Sequence, residues 1–200
     1  MDADESSVLR ELMDREAIRD TIGRYCHAID RGDEDVLREI YWPQATEEHA
    51  GMVSGSASNF IREAMRQILT ESEEMQHLVG NSTIRIERPR ANVESYFFVY
   101  QRIPALNAGQ PQWIDRVTAN RADLLVGGRY LDSFECRDNE WRILHRIVVF
   151  DWWRLFEGSA DWRTGLTGSP ILMGQRGSAD AAYDLFAGLG LGSQSQPGVA

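Results

Sequence analysis

The chain has 200 residues, 42% of them hydrophobic and 10% aromatic, enough for one domain with a sizeable core and an appended tail. Its formal net charge of -10, with no basic stripe to neutralise phosphates, excludes a nucleic-acid partner. No apolar run approaches the roughly 18 residues of a membrane span, and the acidic opening lacks the basic-then-apolar order of a signal peptide. The expectation is a cytoplasmic protein with no membrane partner.

The first predicted element is a helix from Ser6 or Ser7 to Asp30. Ile18, Ile22, Cys26 and Ile29 recur at three- and four-residue intervals and form one buried stripe. Asp30 extends that stripe, so a carboxylate stands on the apolar face, where it is costly without a partner. Gly32 is placed to end the helix and Asp33 to cap a short second one over 34–41, which Pro43 stops. A short extended piece over 45–49 follows. A third helix starts at Ser56 or Ser58 and carries Phe60, Ala64, Met65, Ile68 and Leu69.

From Met75 the period changes. Segments 76–87, 91–103, 112–126, 129–137 and 140–152 are rich in β-branched and aromatic residues. Pro89-Arg90, the stretch 106–111, Gly127-Gly128 and Asp138-Asn139 read as the turns between them. Helices followed by an antiparallel meander predict an α+β fold: three N-terminal helices over a curved, mostly antiparallel sheet that encloses one pocket.

Cys26 and Cys136 set no disulfide framework, and Cys26 reads as a small buried hydrophobe. The four histidines are too scattered for a helical metal pair, and no Gly-rich cofactor fingerprint has the required context, so neither metal nor cofactor is expected. His77, near the start of the strand region, is the best partner for Asp30, and an Asp-oriented histidine in an apolar pocket is a plausible general base. Strand alternation groups Arg146 with Leu144, Val148 and Phe150, opposite Ile143, His145, Ile147 and Val149. Arg146 then needs a partner, which is Asp151, Asp132 or a substrate. Trp42, Phe60, Tyr100 and Phe150 are candidate substrate-binding aromatics, and His49, in a loop-like setting, is a candidate at the pocket mouth.

The segments 24–33, 41–45, 128–135 and 138–146, with His77 between them, resemble the SnoaL-like branch of the nuclear transport factor 2-like α+β cone over roughly residues 8–153. The enzymes of that branch most like this chain are cofactor-free lyases: bile-acid 7α-dehydratase, hexachlorocyclohexane dehydrochlorinase and, more distantly, scytalone dehydratase. The resemblance implies that His77 removes a proton, that Asp30 orients it, that Tyr25 assists and that Arg146 stabilises developing charge. It implies a lyase acting on a hydrophobic ring-containing molecule, by dehydration or by carbon–carbon cleavage such as formaldehyde loss from a lignin-derived diaryl compound. A polyketide- or steroid-type cyclase or isomerase, and a non-catalytic small subunit of an aromatic-ring dioxygenase, are the alternatives. The expected organisation is a cone domain over 1–153 and an extension over 154–200 that packs on the domain or on a neighbouring subunit. Both alternating sets of the 141–150 strand are apolar, which predicts a covered outer face and a homo-oligomer, trimer before dimer.

Overall fold

The computed structural model describes residues 3–49, 53–104, 122–157, 172 and 174–187. Helix α1 spans Ala3–Arg31 and buries Ile18, Ile22, Cys26 and Ile29 as their spacing predicts. The chain leaves α1 at Gly32, which has φ of +69°, a conformation that suits glycine. The Asp33 carboxylate then accepts from Val36 N at 3.1 Å and caps α2, Glu34–Ile40. Strand β1, Tyr41–His49, follows without a loop. It starts before Pro43 because its pairing with β6 is irregular between Tyr41 and Thr46, so no ladder amide is demanded of the proline. After β2, Val53–Ser56, the Ser56 hydroxyl accepts from Asn59 N and caps α3, Ala57–Glu71.

Four long strands complete the fold: β3 Glu74–Glu87, β4 Arg90–Ile103, β5 Ala122–Arg137 and β6 Glu140–Glu157. The six strands lie in the order β2-β1-β6-β5-β4-β3, antiparallel except for β1 with β6. This curved sheet, with the helices over its concave face, is the α+β cone that the change of period at Met75 predicts. None of the described helices is long and apolar enough to cross a membrane.

Two expectations need correction. Gly127-Gly128 is not a turn but lies inside β5, and the expected strand segment over 112–121 falls outside the described residues. Glycine is needed there for space rather than for bending. A Cβ on Gly127 would stand 2.4 Å from the Trp152 ring, and one on Gly128 would stand 2.1 Å from the Val149 carbonyl oxygen and 2.6 Å from the Phe97 ring. The predicted grouping on β6 holds for Arg146, Val148 and Phe150 but fails for Leu144 and Ile143. Phe134 pairs with Ile143 and Ser133 with His145, so Leu144 is an extra residue in a β-bulge. Ile143, Arg146 and Val148 therefore face inward together, with none of them exposed by more than 2%.

Beyond β6, the segment 174–187 lies against α1 and α3. Arg31 donates to the Gln175 carbonyl at 2.9 Å, the Tyr183 hydroxyl donates to Asp33 at 2.7 Å, and Arg176 donates to the Ile68 carbonyl at 2.5 Å. Its short helix α4 covers Ala181–Ala187.

Candidate active site

The concave face of the sheet and one side of α1 and α3 enclose a cavity of about 150 Å³. Alternation determines which side chains reach it. β4 contributes Phe97, Val99 and Gln101, β5 contributes Leu124, Val126 and Tyr130, and β6 contributes Val148 and Phe150. α3 adds Phe60, Ala64, Gln67, Ile68 and Glu71 along one helical row, and α1 adds Tyr25 and Ile29. Most of the lining is apolar.

Asp30 and His77 meet at the wall of this cavity. The last full turn of α1 directs the Asp30 carboxylate at the start of β3, where it grips residue 77 at two points. Oδ2 accepts from the His77 backbone N–H at 2.8 Å, and Oδ1 lies 2.6 Å from the ring Nδ1. Both side chains are 8% exposed. An ionised carboxylate only accepts, so Nδ1 carries the proton and Nε2 is left as an acceptor. That is the tautomer a general base requires.

Tyr25 is 2% exposed, with its ring edge-on to His77 at 6.4 Å and to Tyr130 at 5.5 Å. Burial pushes the Tyr25 phenol well above its ordinary pKa, against the opposing pull of Arg146. A neutral phenol is able to donate a hydrogen bond as well as accept one. Arg146 does not line the cavity. Its guanidinium stands 4.0 Å from the Tyr25 ring centre and 4.2 Å from that of Tyr130, behind both. Of the partners considered for it, the structure selects Asp132, through Nε at 2.6 Å and Nη2 at 2.7 Å. Burial is the largest influence and opposes the arginine's charge, but Asp132 together with Tyr41 and Tyr25 holds the Arg146 pKa above its usual value.

Of the candidate substrate contacts, Phe60, Phe150 and His49 line the cavity. His49 is not in a loop. It ends the inward row Ala45, Glu47, His49 of β1, and its ring stacks on Phe60 at 5.4 Å. Tyr100 is excluded: it has the opposite parity to Val99 and Gln101, and its hydroxyl donates to Asp123 at 2.6 Å. Trp42 is excluded as well. Its Nε1 donates to the Glu135 carbonyl at 3.0 Å, and the guanidinium groups of Arg137 and Arg142 lie over its ring at 4.4 and 4.8 Å.

Sequence reasoning missed the polar members of the site. Glu47 is fully buried; one oxygen accepts from Tyr41 at 2.8 Å and the other lies 3.5 Å from His49 Nδ1. The period-two row Ala45-x-Glu47-x-His49 was its only signal. Glu71, Gln67 and Gln101 were also missed; the first two continue the helical row of Phe60 and Ala64. Among the described residues, no three His, Cys, Asp or Glu side chains converge as a metal site.

The fold is an α+β cone in which a carboxylate-backed histidine lies at the wall of an apolar cavity. The sequence profile of the SnoaL-like domain matches residues 10–147, and the chain belongs to that family. No curated protein sequence matches it. Among solved structures it is similar to a hexachlorocyclohexane dehydrochlorinase, LinA-type3 of Novosphingobium barchaimii, with 17% identity and a TM-score of 0.60 over 76% of this chain and 97% of that one. It is likewise similar to a candidate scytalone dehydratase of Novosphingobium aromaticivorans, with 17% identity and a TM-score of 0.61 over 82% and 97%. A third, Rv3472 of Mycobacterium tuberculosis, of unknown function, has 19% identity and a TM-score of 0.55 over 70% and 77%. At these identities the likeness establishes the shared fold.

Proposed function

We propose that the chain is a cofactor-independent lyase acting on a hydrophobic, ring-containing small molecule. The observation that carries this reading is the double grip of Asp30 on His77 at the wall of an apolar cavity. His77 Nε2 takes a proton from a carbon acidified by a carbonyl or an aromatic system. Asp30 stabilises the imidazolium that forms. The released electron pair becomes a carbon–carbon double bond and expels the hydroxyl of the neighbouring carbon, which takes the proton back from the imidazolium and leaves as water. Tyr25 donates a hydrogen bond to the departing or enolising oxygen. Arg146 acts through the Tyr25 and Tyr130 rings as a positioning residue.

The same base serves carbon–carbon cleavage. There it takes the proton of a hydroxymethyl group, the carbon–carbon bond breaks to release formaldehyde, and the freed pair forms the double bond while expelling a benzylic oxygen. The solved structures similar to this chain include a dehydrochlorinase and a candidate dehydratase, both of which eliminate, and this supports the reaction type. The proposal includes the cone domain, whose sheet runs to Glu157 rather than ending at 153, and an extension beyond it, supported by the anchors of 174–187 on Arg31 and Asp33.

Two probes test the reading. One is a polycyclic β-hydroxy ketone, followed by enone absorbance; the other is a diaryl compound with a hydroxymethyl group and a benzylic ether, followed by formaldehyde release. The expected result is turnover of one of them that survives chelators and falls by about 10²-fold or more in His77→Gln, the usual worth of general-base catalysis. Asp30→Asn should be similarly severe, because an amide cannot stabilise the imidazolium. Turnover at equal rates in both variants would overturn the assignment, and no turnover of either probe would overturn the substrate class.

A further inference from the structure

Glu71 breaks two local rules at once. It is the last residue of α3, where the helix dipole already places partial negative charge, so a carboxylate is unfavourable there. It is also 7% exposed, and its Oε2 is buried with no hydrogen-bond partner. Its other oxygen accepts from Arg66 at 3.2 Å, and the Arg66 side chain is 49% exposed, so that contact only partly offsets the desolvation. Violations of this kind concentrate at functional sites.

Glu71 lines the same cavity as His77, and Gln67, one turn earlier on α3, lines it too. Just after Glu71 the chain is tied to β4, where Glu73 N–H donates to the Arg102 carbonyl at 2.8 Å. The neighbouring Gln101 turns into the cavity, opposite Met75 in the β3–β4 ladder. The cavity therefore has a polar end built from a carboxylate and two amides, in an otherwise apolar lining.

From this geometry we infer that Glu71 is a specificity-determining residue that receives a hydroxyl group of the substrate, phenolic or alcoholic, remote from the carbon at which His77 acts. A carboxylate oxygen with no partner accepts a hydrogen bond and cannot donate one, and a neutral hydroxyl supplies a charge-assisted bond without adding a second anion. Gln67 and Gln101 are able both to donate and to accept, which suits the lone pairs of the same oxygen. A site built this way discriminates against an analogue that lacks the donor, because its carboxylate is then left desolvated and unpaired.

The inference deepens the lyase reading by naming a second functional group on the substrate, yet its test needs no turnover. The probes are 4-ethylphenol and its methyl ether 4-ethylanisole, titrated into the intact protein and followed by ¹H–¹⁵N NMR. The phenol should bind about tenfold or more tightly than the ether, the ratio a hydrogen bond to a charged acceptor supports. Glu71→Met should erase the preference, and Glu71→Gln, which keeps the shape of the side chain, should reduce it; the NMR fingerprint establishes that each variant is folded. His77→Gln should leave the preference intact, which separates this result from any failure of the catalytic assignment. Equal affinity for the two probes in the wild-type protein, a preference that survives Glu71→Met, or no binding of either probe would overturn the inference.

Discussion

Asp132 reaches Arg146 through both carboxylate oxygens, and neither side chain has any exposure to solvent. Two charges so deeply buried hold one another in place, and the guanidinium also lies against the edge-on pair of Tyr25 and Tyr130 rings. Removing one partner leaves the other charged in a low-dielectric core. Asp132→Ala should cost roughly 3–5 kcal/mol in urea unfolding, whereas Asp132→Leu combined with Arg146→Met should recover much of that loss. A single variant within about 1 kcal/mol of wild type would show that the pair is dispensable.

A second buried carboxylate gives a pH-dependent stability. Asp14 accepts from Arg88 Nε at 2.6 Å and Nη2 at 2.5 Å, and from Trp141 Nε1 at 2.9 Å. The Arg88 hydrogen bond is the main reason that the Asp14 carboxyl lies below its usual range, with burial opposing and Trp141 assisting. Because the folded pKa lies below the unfolded one, the stabilisation is fully present above the unfolded value and is lost as pH falls through the folded one. Asp14→Asn should therefore lower stability at neutral pH by about 1–2 kcal/mol, allowing for the partial exposure of Arg88. The gap to wild type should close below about pH 4. A gap independent of pH would remove the carboxylate from the explanation.

Space at the β5–β6 contact is the third point of test. Gly128→Ala places a methyl group 2.1 Å from a backbone oxygen, and backbone cannot turn aside as a flexible side-chain end can. A loss of roughly 1–3 kcal/mol or more in thermal or urea unfolding is expected. Gly80→Ala, where the nearest atom is 3.9 Å away, is the control and should stay close to wild type. Equal effects at the two positions would show that the close approach is relieved by movement of β6.

The outer face of the sheet bears on assembly. Leu78 is 66% exposed, Tyr96 51% and Trp152 45%, and the Phe98 and Trp152 rings lie 5.4 Å apart. Apolar patches of this kind mark interaction surfaces, and we propose that a second copy of the chain covers this one, with a trimer favoured over a dimer. Light scattering at micromolar concentration should give a multiple of the chain mass, and Trp152→Glu should reduce it. A wild-type monomer throughout that range would sink the proposal.

The helices were legible because each carries its own punctuation: the stripe of α1, Gly32 and Asp33 between α1 and α2, and Ser56 before α3. The Asp30–His77 pair was legible for a related reason, since a carboxylate on an apolar stripe demands a partner. What the sequence hid depends on parity between strands. Nothing local in Val99-Tyr100-Gln101 says which face is concave, so Tyr100 was expected in the cavity that Val99 and Gln101 line. Glycine signalled a turn at Gly127-Gly128, yet the same residue type also permits a close contact inside a strand, and only the positions of Trp152 and Val149 distinguish the two. Glu47 was not singled out, because acidic residues in a short extended piece give no sign of which face is buried, although its partners Tyr41 and His49 stand on the same strand.

The bulge at Leu144 gives β6 an uneven tolerance to changes in length. The ladder on β5 counts Phe134, Ser133 and Asp132 against Ile143, His145 and Arg146, so Leu144 is the residue that pairing can spare. Deleting it leaves every other side chain of the strand on its present face and removes only the local bend. Deleting Ile147 instead would turn Val148 and Phe150 away from the cavity and bring Val149 in their place. Within a single strand, one shortening changes curvature and the other rewrites the lining of the site.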